Sequence, residues 1–164
     1  MAKNKEEKTN VMRVLEQKKL AYTPHTYPHE EGVAVDGVTV AESMGFDPAQ
    51  VFKTLVARGA SGQYYVFDVP VAESLDLKKA ARAVGEKSIE MLHQKELLPL
   101  TGYVHGGCSP VGMKKLFPTV FHSSVENLST LIVSAGKIGY QVELRPADLL
   151  SLVRGRTADI IVKN

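Results

Sequence analysis

The sequence predicts an α+β fold in one domain, and three observations carry that reading. Two strand-like runs, "VFKTLVAR" at 51–58 and "QYYVFDVPV" at 63–71, stand on either side of "GASG" as a hairpin. Helical segments closed by glycine or followed by proline flank that hairpin. Strands and helices mix without a regular βα period and without an internal repeat, which disfavours a doubly wound parallel sheet.

Each element follows in chain order. Residues 1–9 are polar and expected to be flexible, with the folded domain over 10–164. In "TNVMRVLEQKKL", Val11, Val14 and Leu15 fall at i, i+3 and i+4, an amphipathic helix with Thr9 or Asn10 as N-cap. "AYTPHTYPHE" is extended, and Pro24 and Pro28 confine it to a sheet edge or a loop wall. Thr39 and Glu42 have capping-box spacing for a short helix that leaves at Gly45, and Asp47-Pro48 offers a second helix start. "LDLKKAARAVG" reads as a helix closed by Gly85, and "SIEMLHQKELLPL" as another that ends near Pro99. "TVFHSS", "TLIVSAGKIG" and "YQVELRP" read as strands, "PADLLSLVRG" as a C-terminal helix and "ADIIV" as a last strand.

Composition restricts function. With 164 residues, 44% of them hydrophobic and 23% charged, the chain has the material for a real core. No apolar run approaches the roughly 18 residues that span a bilayer, and "MAKNKEEKTN" lacks the apolar stretch of a secretion signal, so a cytoplasmic protein without a membrane partner is expected. One cysteine forms no internal disulfide, and the five scattered histidines show no metal-ligand spacing. A formal charge of +2 suits contact with RNA but not an unaided grip on a long stretch of nucleic acid.

Lys53 is the most informative residue. Alternation along its strand sets it with Val51, Leu55 and Ala57 against Phe52, Thr54 and Val56, so both faces look buried. An ammonium there must pair, snorkel or meet a ligand; the pattern alone leaves open an edge-strand lysine that reaches solvent. "GGCSPVG" at 106–112 and "SAGKIG" at 134–139 could converge backbone N–H groups on an anion or an oxyanion, or could simply be tight turns. Neither matches a Walker or a dinucleotide-binding spacing. Cys108, three residues after His105, invites a nucleophile reading, but a small buried thiol is the commoner case. Lys78, Lys79, Arg82, Lys114 and Lys115 could touch phosphate or form a solvated face.

Taken together, "HTY" at 25–27, "VFKTLV" at 51–56, "LDLKKAARAVG" at 75–85, "TGYVHGGCSPVGMKK" at 101–115, "SAGKIG" and the "ADII" tail resemble the YbaK/EbsC family of free-standing editing proteins, related to the editing domain inserted in bacterial prolyl-tRNA synthetases. The resemblance implies a single α+β domain with a mixed, partly barrel-like sheet and helices packed around it. It implies a trans-editing deacylase that clears Cys-tRNA(Pro) through attack by the substrate's own thiol to give a thiolactone. The implied partners are the acceptor end of tRNA(Pro) and prolyl-tRNA synthetase, with no DNA, no cofactor and no metal. Lys53 matches the family's essential lysine. Tyr27, Gly106, Gly107, Ser134 and Gly136 match its substrate-binding positions, whereas Cys108 and His105 carry nothing over. Two departures touch specificity: Gln141 stands where some relatives have an acid, and "EEGVAVDG" at 30–37 differs in the expected side-chain wall. The competing readings are an Ala-tRNA(Pro) deacylase that uses water, a non-catalytic module that binds aminoacyl-tRNA or a synthetase, and a Cys108 hydrolase.

Overall fold

The structure, a computed structural model, describes residues 8–163. Residues 1–7 of the segment expected to be flexible lie outside the described residues. Within the described residues eight strands form two sheets, with five α-helices around them. One sheet is antiparallel: β1 (Thr23–Thr26) at its edge, β7 (Tyr140–Leu144) in the middle and β6 (Leu131–Lys137) beyond it. The other is mixed and runs in the order β4 (Ile89–Met91), β2 (Phe52–Gly59), β3 (Tyr64–Pro70), β5 (Thr119–His122) and β8 (Arg156–Ala158). Pairing is antiparallel through β4, β2 and β3 and parallel through β3, β5 and β8. A parallel bridge between Val51 and Ile132 joins the sheets. The mixed architecture is therefore as expected, and the sheets do not close into a barrel.

Strand alternation sorts the hairpin onto two cores. Phe52, Val56 and Val66 face a core shared with Val11 and Leu15 of α1 (Asn10–Gln17), Phe121, Leu131 and Leu149 of α5 (Pro146–Val153). Ala57, Phe67 and Val69 face the opposite way, onto Ala80 and Ala81 of α3 (Leu77–Val84) and Ile160. The hairpin turn is fastened by Glu86, which accepts from Ser61 N–H at 3.1 Å and from the Tyr65 hydroxyl at 2.6 Å.

Local signals agree with the structure where the cap lies in the element itself. Thr9 caps α1 by accepting from Met12 N–H at 3.2 Å, and Gly85 closes α3 at φ 74°. Four boundaries differ. The N-cap of α2 (Gly37–Ser43) is Asp36, which accepts from Thr39 N–H at 3.1 Å, so Thr39 lies inside the helix. Asp47-Pro48 makes a single turn, closed by Gln50 N–H on Asp47 C=O at 2.9 Å, and no helix follows because Val51 is drawn into its bridge. The expected helix from Ser88 divides: Ile89–Met91 pairs with the open edge of β2, and α4 (Gln94–Thr101) begins only after His93, running through Pro99 in its last turn. The last strand is Arg156–Ala158, while Ile161 only bridges Leu75. No helix among the described residues is long and apolar enough to cross a membrane.

Candidate active site

The centre of the site is a stretch of β2 where pairing stops. Val71 N–H donates to Val51 C=O at 2.8 Å on the β3 side, and Leu92 N–H donates to Val56 C=O at 3.2 Å on the other side. Backbone groups of Phe52 and Thr54, in phase with Val56, therefore point away from β3. β4 covers that outer edge only along Ala57–Gly59, and the link to β6 is made at Val51. Between them lies an uncovered length of strand edge that offers main-chain donors and acceptors.

That edge forms one side of a cavity of about 160 Å³ at the junction of the sheets. A cavity of that volume has room for a small aminoacyl group. Tyr27, Val40, Leu97, Gly106, Ser134 and Gln141 close it around Lys53 and Thr54.

Four of the six sequence-predicted residues thus share one cavity: Lys53, Tyr27, Gly106 and Ser134. Lys53 is partly buried and, among the described residues, its ammonium has neither a hydrogen bond nor an ion pair. Burial pushes its pKa below the ordinary lysine value, and attraction to Asp36 and Glu73 offsets part of that. Tyr27 is held by its N–H on Gly139 C=O at 3.0 Å. Ser134 Oγ accepts from Gly136 N–H at 3.0 Å, which leaves the serine O–H to be donated. Gly106 adopts φ +91°, and a Cβ there would sit 2.7 Å from Ala34 Cβ, so only glycine lets the 102–118 loop close on the 30–37 segment.

Gly107 and Gly136 lie outside the cavity lining. Gly107 N–H is bonded to Val104 C=O at 3.0 Å. A Cβ on Gly136 would meet the Tyr103 ring at 2.9 Å and Val11 at 3.0 Å, so its bare side faces the core.

Sequence reasoning missed Thr54 and the carboxyl beneath it. Thr54 Oγ1 and Asp68 Oδ1 are hydrogen-bonded at 2.5 Å, Asp68 is completely buried, and its Oδ2 has no partner among the described residues. Burial raises Asp68 to about 8 against the smaller opposing effect of the Thr54 bond. An acid inside the otherwise apolar run "VFDVPV" was the available signal. Cys108 also reaches the cavity wall, but burial, with the Asp68 carboxyl adding to it, pushes its thiol to about 12. Such a thiol stays protonated and is a poor nucleophile. Gln141 is buried in the wall with Oε1 unpartnered, an acceptor available to a donor in the cavity.

Comparison with known proteins agrees with this architecture. A protein of Enterococcus faecalis (strain ATCC 700802 / V583), named as a proposed Cys-tRNA(Pro)/Cys-tRNA(Cys) deacylase, EbsC, is 46% identical over 164 residues, 99% of each chain. A crystal structure of a proposed trans-editing enzyme for prolyl-tRNA synthetase superposes with a TM-score of 0.80 at 26% identity, covering 93% of this chain and 95% of that one. The proline–tRNA ligase of Shouchella clausii (strain KSM-K16) is 27% identical over 100 residues, 61% of this chain but 17% of the ligase. The family model described as the aminoacyl-tRNA editing domain matches residues 32–152, and the chain belongs to that family.

Proposed function

We propose that this protein deacylates cysteinyl-tRNA, with Cys-tRNA(Pro) as the substrate and the cysteinyl thiol as the nucleophile. The observation that carries this reading is a small cavity that holds Lys53 without a bonded partner while its one cysteine thiol is held protonated. A site with a poor nucleophile of its own suits a substrate that brings one. The high identity to EbsC along the whole chain supports the same substrate class.

The thiol gives up its proton, the sulfur forms a bond to the ester carbonyl carbon, and the ester C–O bond breaks. The ribose oxygen takes up a proton and the tRNA leaves. The ring formed contains sulfur, Cβ, Cα and the carbonyl carbon: a four-membered thiolactone, not the five-membered ring that a longer thiol side chain would close. Proximity favours the attack, but ring strain leaves more for the protein to supply. Lys53 orients the thiolate and stabilises developing charge, the exposed N–H of Thr54 and the backbone at Gly106 face the ester oxygen, and Ser134 and Tyr27 hold the ribose and acyl group. Proline lacks a thiol, so correctly charged tRNA survives entry.

The test compares Cys-tRNA(Pro), its S-methylated form, Cys-tRNA(Cys), Ala-tRNA(Pro) and Pro-tRNA(Pro). Cleavage of the cysteinyl species with the S-methyl form resistant is expected, as is a loss in Lys53→Ala of about 10²-fold or more. Equal cleavage of the S-methyl form, or preferential release of alanine, would replace the thiol mechanism with hydrolysis by water. No cleavage of any ester would leave a binding module.

A further inference from the structure

We propose that Asp68, out of reach of substrate, is the positioning residue that turns the Thr54 hydroxyl toward the cavity, making that hydroxyl a donor to the ester oxygen. The inference rests on the deacylase reading and adds two residues to it. Its basis is geometric. Asp68 is completely buried, lies 2.5 Å from Thr54 Oγ1, and leaves Oδ2 without a partner, while Thr54 lines the cavity next to Lys53.

A hydroxyl has a single proton to donate. When Asp68 is neutral, the carboxyl O–H donates to Thr54 Oγ1 and the threonine proton is free to point outward. When Asp68 is ionised, Thr54 must donate to the carboxylate and shows the cavity only lone pairs. The unpartnered Oδ2 fits the neutral form, because a bare carbonyl oxygen costs much less to bury than a bare carboxylate oxygen. Burial, which raises Asp68 to about 8, keeps that form dominant at neutral pH.

The titratable groups on this side of the sheet are few. Cys108 faces Asp68 from the 102–118 loop, and Tyr103 of the same loop lies next to Cys108; both are pushed to about 12. They remain neutral through the relevant range. Lys53 on β2 and His122 on β5 leave from the other face by strand alternation, but Lys53 reaches the same cavity, which His105 lines from the 102–118 loop; α1 contributes Val11, Met12 and Leu15. Asp68 is thus the group on its face that titrates near pH 8.

The test is steady-state deacylation of Cys-tRNA(Pro) from pH 6 to 9.5, with the uncatalysed rate subtracted. Thr54→Val is expected to lower kcat by about 10²-fold with little change in KM. Asp68→Ala is expected to lower kcat as well, and Asp68→Asn, whose amide still donates to Thr54, to restore it to within about threefold. The wild-type rate falls above about pH 8 beyond any fall due to the substrate thiol or to Lys53, both of which remain in Asp68→Asn, and Asp68→Asn lacks that extra fall. An identical alkaline limb in Asp68→Asn, a correctly folded Asp68→Asn as inactive as Asp68→Ala, or full kcat in Thr54→Val would each overturn the proposal. Carbon-13 NMR titration of the Asp68 carboxyl in the unmodified protein reads the proton directly. Titration near pH 4 refutes the inference even if a variant fails to fold, whereas inactivity of the wild type on every ester refutes the deacylase reading instead.

Discussion

Burial disfavours whichever form of a side chain is charged, and at this site the same physics has three outcomes. It lowers the pKa of Lys53, raises that of Asp68 to about 8 and raises that of Cys108 to about 12. Cys108 is therefore packing at the back of the cavity, and Cys108→Ser is expected to retain near-full deacylation; a loss matching Lys53→Ala would restore the thiol-nucleophile reading. Asp68 carries a cost in stability. An unfolded aspartate loses its proton near pH 4, but the folded one holds it to about 8, so folding takes up a proton between those values. Stability from this group is complete below pH 4 and is lost as the pH rises to about 8, by an amount on the order of a few kcal/mol. Asp68→Asn should flatten that slope, so that thermal melting shows it gaining on the wild type from pH 5 to 8.5; parallel curves would mean that Asp68 is ionised throughout. Lys53 was legible because an ammonium in an apolar strand demands an account. Asp68 carried the same signal with the opposite charge, and its meaning emerged only with Thr54 across the β2–β3 register.

Elements were legible where their signals are local. Thr9, Gly85 and the hairpin across "GASG" each act within a few residues, and each element formed where expected. Misreadings arose where a distant partner decided. "SIEM" has no strong preference of its own, and the open edge of β2 makes it a strand. The 102–118 loop is the same kind of case, since its shape depends on Gly106 meeting Ala34 across the cavity mouth. Gly106→Ala forces a β-carbon into that contact at positive φ and is expected to cost more than about 1 kcal/mol. Because the neighbouring residues of both segments line the cavity, KM should rise along with the loss in melting temperature. Loss of stability with unchanged KM would show that the loop contact does not shape the site.

At the scale of the whole molecule, the site belongs to neither sheet. Tyr27, Ser134 and Gln141 come from the β1-β7-β6 side, Lys53 and Thr54 from β2, and Gly106 from a connecting loop. Strand patterns show which residues share a face but not which sheets meet, so the convergence was supplied by resemblance, and Gly107 and Gly136, included on the same ground, fall outside the lining. The cavity takes an acyl group, while the rest of a tRNA must lie on the surface. That surface has little net attraction to offer, because 20 lysines and arginines stand against 18 acids. Each phosphate neutralised on a single strand contributes roughly −0.7 to the slope of log affinity against log salt, so a chain with little excess charge should show a shallow slope and weak affinity. Kinetics from 50 to 200 mM salt are expected to show KM for Cys-tRNA(Pro) rising only a few fold, with kcat unchanged. Added prolyl-tRNA synthetase should lower KM and leave kcat alone if it holds the tRNA body. A steep salt slope for the isolated protein would instead require an organised basic track, with Lys78, Arg82 and Lys87, gathered along one surface groove, as the first residues to neutralise.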